Sequence, residues 1–457
     1  MDVADQRGVA RHPARDCRVS LDAHTLRLMA LDAMVPEMVN IRDHGAQGDG
    51  ATDDTTAIRA AIAVAAGIVP VHVPAGVYMV DAVTGGPGLP LTVAGTILHL
   101  APSAVIKVIP NAAIGYQLIS VTAADCLIVG GTLLGDVRTH AGDEGEWGHL
   151  INIGAGGHRC TVSHVAVREA WGDGIAVVGG AEDAYLVDVI ADSNRRQGVS
   201  LIGAVRPRII GGSFRNTGKI RYHSPAAGID VEPNPGSGFD VTGFEIRGVT
   251  CSDNAGWGLL IVKAQGQETS GDVSNIVVSG NGRDGFKVSK SDDMTGSRLR
   301  VTATGVTTHH NAHCGMYLST TGVTVKSVTA SGNSGVGVWM GSANTLDLAA
   351  VSRNGRAGIE VGLAAAGASI TSARVSGNGQ ACGRYFQEIS LYAGCSLSDV
   401  ETWTDTIGRR CHIGIAIRTE ADGVVARNCQ VRGEPTSHPY SNRGQHTSIK
   451  PPIGARH

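Results

Sequence analysis

The chain has 457 residues, of which 63 are Gly, only 4% are aromatic, and the net charge is near −3. No basic run occurs, which argues against a nucleic-acid partner. No apolar stretch reaches the 18 residues a membrane-spanning helix needs. The length would hold two or three ordinary domains, unless the chain is a repeat whose units contact only their neighbours.

Residues 1–38 form a preface. Leu26, Leu28, Met29, Leu31 and Met34 fall at helical spacing and predict a short helix. It is expected either as a local cap or as a trimerising neck, the second giving a homotrimer. The first twenty residues carry no apolar core of a signal peptide, so none is expected. Residues 39–81 follow as a second unit. Asp53 or Asp54 caps a helix whose apolar face is Ile58, Ile62 and Ala65, and Gly67 ends it. The run VPVHVPAGVYMV reads as the first strand pair.

From 82 to 432 a repeat dominates. Short β-prone runs end in Asn at positions 194, 254, 281, 311, 333, 354 and 378. A few residues after each comes a Gly and then an alternating apolar strand: GVSLIG, GLLIVK, GFKVSK, GMYLST, GVGVWM, GIEVGL. A period in the twenties with one turn residue per period signals a solenoid. The predicted inward positions are Ile175, Val199, Ile229, Leu259, Phe286, Met316, Val338, Ile359, Ile389 and Ile415, with the asparagines stacking into a hydrogen-bonded ladder. The fold class is therefore all-β, a single parallel β-helix of about a dozen coils. The nine scattered Cys read mostly as buried small apolar residues, and no spacing suggests zinc. The HHNAH stretch at 309–313 lies in a turn without an acidic partner, so no metal or other cofactor is expected. Residues 433–457 are a polar, Pro-rich tail.

Polar residues that break the repeat's bland surface concentrate between 136 and 263. Asp230 and Glu232 stand at i and i+2 on a strand, which puts both carboxylates on one face while Ile229 and Val231 face the core. Two adjacent carboxyls raise each other's proton affinity, so one can stay protonated as an acid while the other stays charged. Asp173 and Arg196 sit at the entries of neighbouring coils, where equivalent positions stack into a column. Arg195 and Arg196 are adjacent, so only one of them faces a ligand; the other reading is a salt bridge to Asp192 or Asp173. Trp147, Trp171 and Trp257 are candidate sugar-stacking platforms or turn fillers, and His149 and His223 are candidate proton carriers.

Two stretches resemble a known family. Gly45, Ala46, Gly48, Asp49, Gly50, Thr52, Asp53, Asp54, Thr55, Ala57 and Ile58 resemble the N-terminal cap of pectate-lyase-like right-handed parallel β-helix proteins. The Asp residues there are expected to cap and turn rather than to catalyse. The set GDxxxHxGxxGEWGxxI, WGDGI, NRRQGxS and PxAGIDxEPNP resembles one found in secreted polysaccharide-degrading enzymes and bacteriophage tail depolymerases. The resemblance implies a right-handed helix and an active-site column of Asp173, Arg196, Asp230 and Glu232, with Glu146 and His149 on a loop above it. It also implies a polysaccharide or oligosaccharide substrate and an extracellular or virion-associated setting. The Lys/Arg and Ca²⁺-carboxylate cluster of true pectate lyases is not recognised here. The expected function is a glycoside hydrolase; the alternatives are a polysaccharide lyase or uronate epimerase, and a non-catalytic sugar-binding spike or adhesin.

Overall fold

A computed structural model describes residues 38–290, 296–380, 386–403, 412–418, 421–432, 440–442 and 448–450. The preface, where a short helix is expected, and most of the C-terminal tail lie outside the described residues, and with them the trimerising-neck reading.

The GDGxTDD motif builds the cap. Asp49 accepts hydrogen bonds from the backbone N–H groups of Thr52 and Ala51 and from the Thr52 hydroxyl. The Thr52 and Ala51 amides hold its carboxyl down to about 2. Asp53 accepts from the backbone N–H of Thr55, and Asp54 reaches back to the N–H groups of Gln47 and Gly48. All three carboxylates are thus spent on the local turn. They launch helix α1 (Thr55–Ala65), which buries Ile58, Ile62 and Ala65 over the open end of the solenoid. The helix ends one residue before the expected Gly67: Ala66 already adopts the left-handed conformation, at φ 47°.

Among the described residues the coils form two parallel sheets, one of 14 strands and one of 29. Each coil contributes one strand to the first sheet. The second runs over the other two faces, bending between them at residues with positive φ such as Asp188, Asn275 and Ser372. The strands that position the site are β1 (Trp147–Ile153), β2 (Asp173–Val177), β3 (Gln197–Leu201), β4 (Ala227–Val231), β5 (Leu259–Lys263), β6 (Phe286–Lys290), β7 (Met316–Leu318), β8 (Val338–Met340) and β9 (Ile359–Val361). They are successive rungs of the 14-stranded sheet. The register pairs Ile151, Ile175, Val199, Ile229, Leu259, Phe286, Met316, Val338, Ile359, Ile389 and Ile415 in one unbroken row. Every expected inward position is buried.

The asparagine ladder is present. Each Nδ2 donates to the next coil's Oδ1 from Asn254 through Asn281, Asn311, Asn333 and Asn354 to Asn378, at 2.8–2.9 Å. Asn194 stands apart: Thr217 takes the position between it and Asn254, so Asn194 bonds backbone groups of Ala170 and Val167 instead. The ladder ends on the buried carboxylate of Glu388, which accepts from Asn378 Nδ2. It also explains the Gly that precedes each apolar strand. A Cβ on Gly285 would stand 2.6 Å from Asn311 Nδ2, and one on Gly337 2.7 Å from Asn354 Nδ2. The Gly of one coil therefore makes room for the Asn of the next.

Candidate active site

The candidate residues converge where β1–β4 enter the 14-stranded sheet. Gly174 faces inward, where a Cβ would meet Asn194 Nδ2 at 2.7 Å. Strict alternation back from Ile175 would point Asp173 into the core, but the inward glycine breaks the alternation and Asp173 faces the outer surface. There its carboxylate is fully buried. It accepts from Arg196 Nη1 at 3.0 Å and from the Ser200 hydroxyl at 2.7 Å. Arg196 also donates through Nε to Glu146 at 3.0 Å. Burial works against the Arg196 charge, but Asp173, Asp230 and Glu146 outweigh it and hold the guanidinium above its usual range.

His149 lies on the same rung edge. Its Nδ1 accepts the backbone N–H of Asp173 at 3.1 Å, which leaves the proton of the neutral ring on Nε2. Burial pushes its pKa below the ordinary histidine value despite the nearby Asp173.

Asp230 and Ser200 occupy one outward row, Asp230 on β4 and Ser200 on β3. Asp230 is 1% exposed. One carboxyl oxygen accepts from Gln197 Nε2 at 2.6 Å, and the other has no donor among the described residues. Glu232, half-buried, stands just past the end of β4, two residues on from Asp230. Burial, and then the Glu232 charge, push the Asp230 carboxyl well above the usual carboxylate range; burial raises Glu232 as well, against the pull of Arg196.

The site's wall is a loop tied down from behind. Arg195 is buried and donates to the carbonyls of Gly145 and Asp143. Its guanidinium lies 3.7 Å over Trp171, which also stacks on His140 at 3.8 Å. Asp136 takes a hydrogen bond from Tyr116 and holds His140 Nδ1 at 2.8 Å. Trp171 is 0% exposed, so neither it nor Arg195 presents a surface to a ligand; both shape the 142–146 loop that carries Glu146. Trp147 is 54% exposed at the head of β1 and does present a ring. His223 donates Nδ1–H to the carbonyl of Ser224 and lies 3.8 Å from Glu146. Trp257 stands on the rung after Asp230, among a different group of side chains. Among the described residues no three His, Cys, Asp or Glu side chains are grouped to hold a metal ion.

Sequence reasoning missed Gln197, Ser200, His140 and Asp136. Ser200 was within reach, since it follows an inward position by one residue as Asp230 does. Gln197 adjoins Arg196 in the NRRQG segment. The contacts of Arg195 join residues about 50 positions apart and leave no local signal.

The charge balance constrains the chemistry. Asp173, Glu146, Asp230 and Glu232 gather four carboxyl groups around the Arg196 guanidinium. Linkage gives a test of the raised Asp230 carboxyl. The folded-state pKa of Asp230 lies above the unfolded value of about 3.9. The stability this contributes is fully present below the unfolded pKa and is lost as pH rises through the folded one. Asp230→Asn keeps the acceptor for Gln197 and does not ionise. It is expected to melt above the wild type at neutral pH and to converge with it near the unfolded pKa. A melting difference that stays constant on acidification would contradict a raised Asp230 carboxyl.

Comparison with known proteins agrees with the fold. Residues 38–84 match the family described as rhamnogalacturonase A/epimerase, pectate lyase-like, and residues 258–449 match the right-handed β-helix region. The chain is 27% identical over 225 residues to the uncharacterized protein YclG of Bacillus subtilis, covering 44% of this chain and 38% of that one. It is 27% identical over 281 residues to the mannuronan C5-epimerase AlgE5 of Azotobacter vinelandii, covering 56% of this chain and 26% of the relative. The chain thus spans well under half the length of either. Among solved structures, the Dettilon tailspike protein superposes with a TM-score of 0.55 at 16% identity, over 87% of this chain and 69% of that one. No helix among the described residues is long and apolar enough to cross a membrane. Cap, coils and shared architecture make the chain a right-handed parallel β-helix protein whose cap is similar to the pectate-lyase-like family.

Proposed function

We propose that the protein is a carbohydrate-active enzyme that hydrolyses a glycosidic bond of a polysaccharide at the Asp230–Glu232 pair. The observation that carries this reading is the pair itself, two neighbouring carboxyls both raised by burial in a largely water-excluded wall. Glycoside hydrolysis needs one protonated carboxyl to donate to the leaving oxygen and one charged carboxylate to activate water or attack the anomeric carbon. Glu232 is the more exposed member of the pair. The surplus of negative charge around the pair favours a transition state with developing positive charge on the ring. Arg196, locked between Asp173 and Glu146, orients the sugar's hydroxyls. His149 offers its Nε2–H as a donor, and Trp147 offers a stacking face. A polymeric sugar substrate sets the activity outside the cell or on a virion.

A lyase or epimerase acting on uronates needs a cation to neutralise the substrate carboxylate and a base of suitable pKa. Arg196 is already engaged by two carboxylates, which weighs against that chemistry here. The similarity to AlgE5 favours it and keeps it as a second reading. Incubation with a panel of polysaccharides, read by mass spectrometry and ultraviolet absorbance, separates the two. New reducing ends with mass increments of water support hydrolysis. Products absorbing as unsaturated uronates, or an altered uronate composition without cleavage, would replace it.

A further inference from the structure

The outward row that holds Asp230 continues along the sheet through Leu260, Lys287, Tyr317 and Trp339 to Glu360. Rungs are about 4.8 Å apart, so Lys287 lies about 10 Å and Trp339 about 19 Å beyond Asp230. A groove of about 530 Å³ opens along this stretch. Its floor is aromatic and cationic. Lys287 Nζ sits 4.5 Å over Trp257 and 5.5 Å over Tyr317, and Tyr317 stacks on Trp339 at 4.1 Å. Arg283 lies 4.7 Å over the Trp257 ring as well, and Arg356 stands exposed at the rim. Among the described residues none of Lys287, Arg283 and Arg356 forms a salt bridge. Asp284, the carboxylate inside the groove, spends its two oxygens on Trp257 Nε1–H and the backbone N–H of Cys314. The charge here is the reverse of that around Asp230 and Glu232.

We propose that this groove binds an acidic sugar unit of the polysaccharide whose uncharged linkage is cut at Asp230 and Glu232. The second half of that statement rests on the hydrolase reading; the groove's preference for an acidic sugar does not. Flat rings take the apolar face of a pyranose, and three cations without salt-bridge partners take its carboxylate. The row is continuous between the two places, so one extended chain lies across both. The substrate class is then an acidic heteropolysaccharide, charged a few rungs away from the cleaved bond.

Affinity electrophoresis tests this without turnover. Glu232→Gln protein, which does not degrade the polymer, is run through gels containing hyaluronan, alginate, polygalacturonate or xanthan, each native or with its carboxyls reduced to alcohols. A dT20 oligonucleotide serves as a non-sugar polyanion. At least one native polymer is expected to retard the protein. Adding Arg283→Ala, Lys287→Ala and Arg356→Ala together weakens that binding about tenfold or more. Carboxyl reduction does the same, and Lys287→Arg in the otherwise unaltered groove retains it. The groove assignment is overturned by no retardation in any acidic polymer, by unchanged binding in the triple variant, by equal binding of the reduced polymer, or by equally tight binding of dT20. Wild-type protein that releases no reducing ends, while Glu232→Gln is still retarded in a groove-dependent way, removes the hydrolase reading alone.

Discussion

Glu232→Gln and Asp230→Asn are each expected to lower turnover by about 10²–10⁴-fold, the usual cost of losing a general acid or base, while leaving the protein folded. The amides keep the shape of the carboxyls. The new amide at position 230 still accepts from Gln197, and the one at position 232 still reaches solvent, so neither change opens a cavity. The core under them, Ile229 and Val231, is untouched. In the wild type the rate should follow a bell in pH. The basic limb appears as the acid member of the pair ionises, displaced upward because burial and the neighbouring charge raise Asp230. The acid limb appears as the charged member is protonated. Both limbs belong to the pair rather than to either residue. Arg196→Ala behaves differently. It removes the clamp on the sugar, which raises KM, and it frees Asp173 and Glu146 from their common guanidinium, which disorders the site and lowers kcat as well. The measurement is reducing-end release across pH on whichever polysaccharide the screen identifies. Full activity in both carboxylate variants would return the chemistry to Glu146, Asp173 and the two histidines.

Much of this architecture was legible in the sequence because a solenoid repeats its constraints. Val199, Leu259, Phe286, Met316, Val338 and Ile359 are each announced by an Asn and a Gly a few positions before them, and the same arithmetic holds across those coils. The pairing of Asp230 with Glu232 was legible for the same reason, since a carboxylate one residue past an inward position must face out. Asp173 was harder. Its outward direction depends on Gly174 turning inward to clear Asn194, a break that recurs before the later strands but that strict alternation does not announce. The roles of Trp171 and Arg195 were not legible at all. Their partners, His140 and the carbonyls of the 143–145 segment, arrive from one coil before Trp171 and two coils before Arg195, and only the folded register brings a loop across them. The glycines show a subtler limit. Each was visible as a motif, but the atom that requires it belongs to the following Asn, one coil on.

That dependence makes the ladder the place where a small change should do most damage to the fold. Asn311 is fully buried, and its amide serves four partners. Its Oδ1 accepts from Asn281 Nδ2 at 2.9 Å and from the Asn281 backbone N–H at 3.1 Å. Its Nδ2 donates to Asn333 Oδ1 at 2.9 Å and to the Val278 carbonyl at 3.1 Å. Asn311→Ala leaves these groups short of a bond in a dry interior, where each unsatisfied polar group costs about 1–3 kcal/mol. A loss of roughly 4 kcal/mol or more follows. The ladder runs head to tail and ends on Glu388, a group that only accepts when ionised, so the break also removes the mutual polarisation of the amides on either side. Because coils contact only their neighbours, the damage should stay local. Hydrogen exchange is expected to rise in the strands around residues 276–340 while the cap and β1–β4 keep their protection. Asn275→Gly is the matched control: Asn275 is exposed, lies outside the ladder and has φ 53°, a conformation glycine adopts freely. An Asn311→Ala protein that melts with the wild type, or loses no more than this control, would show that the ladder decorates the turns without holding them.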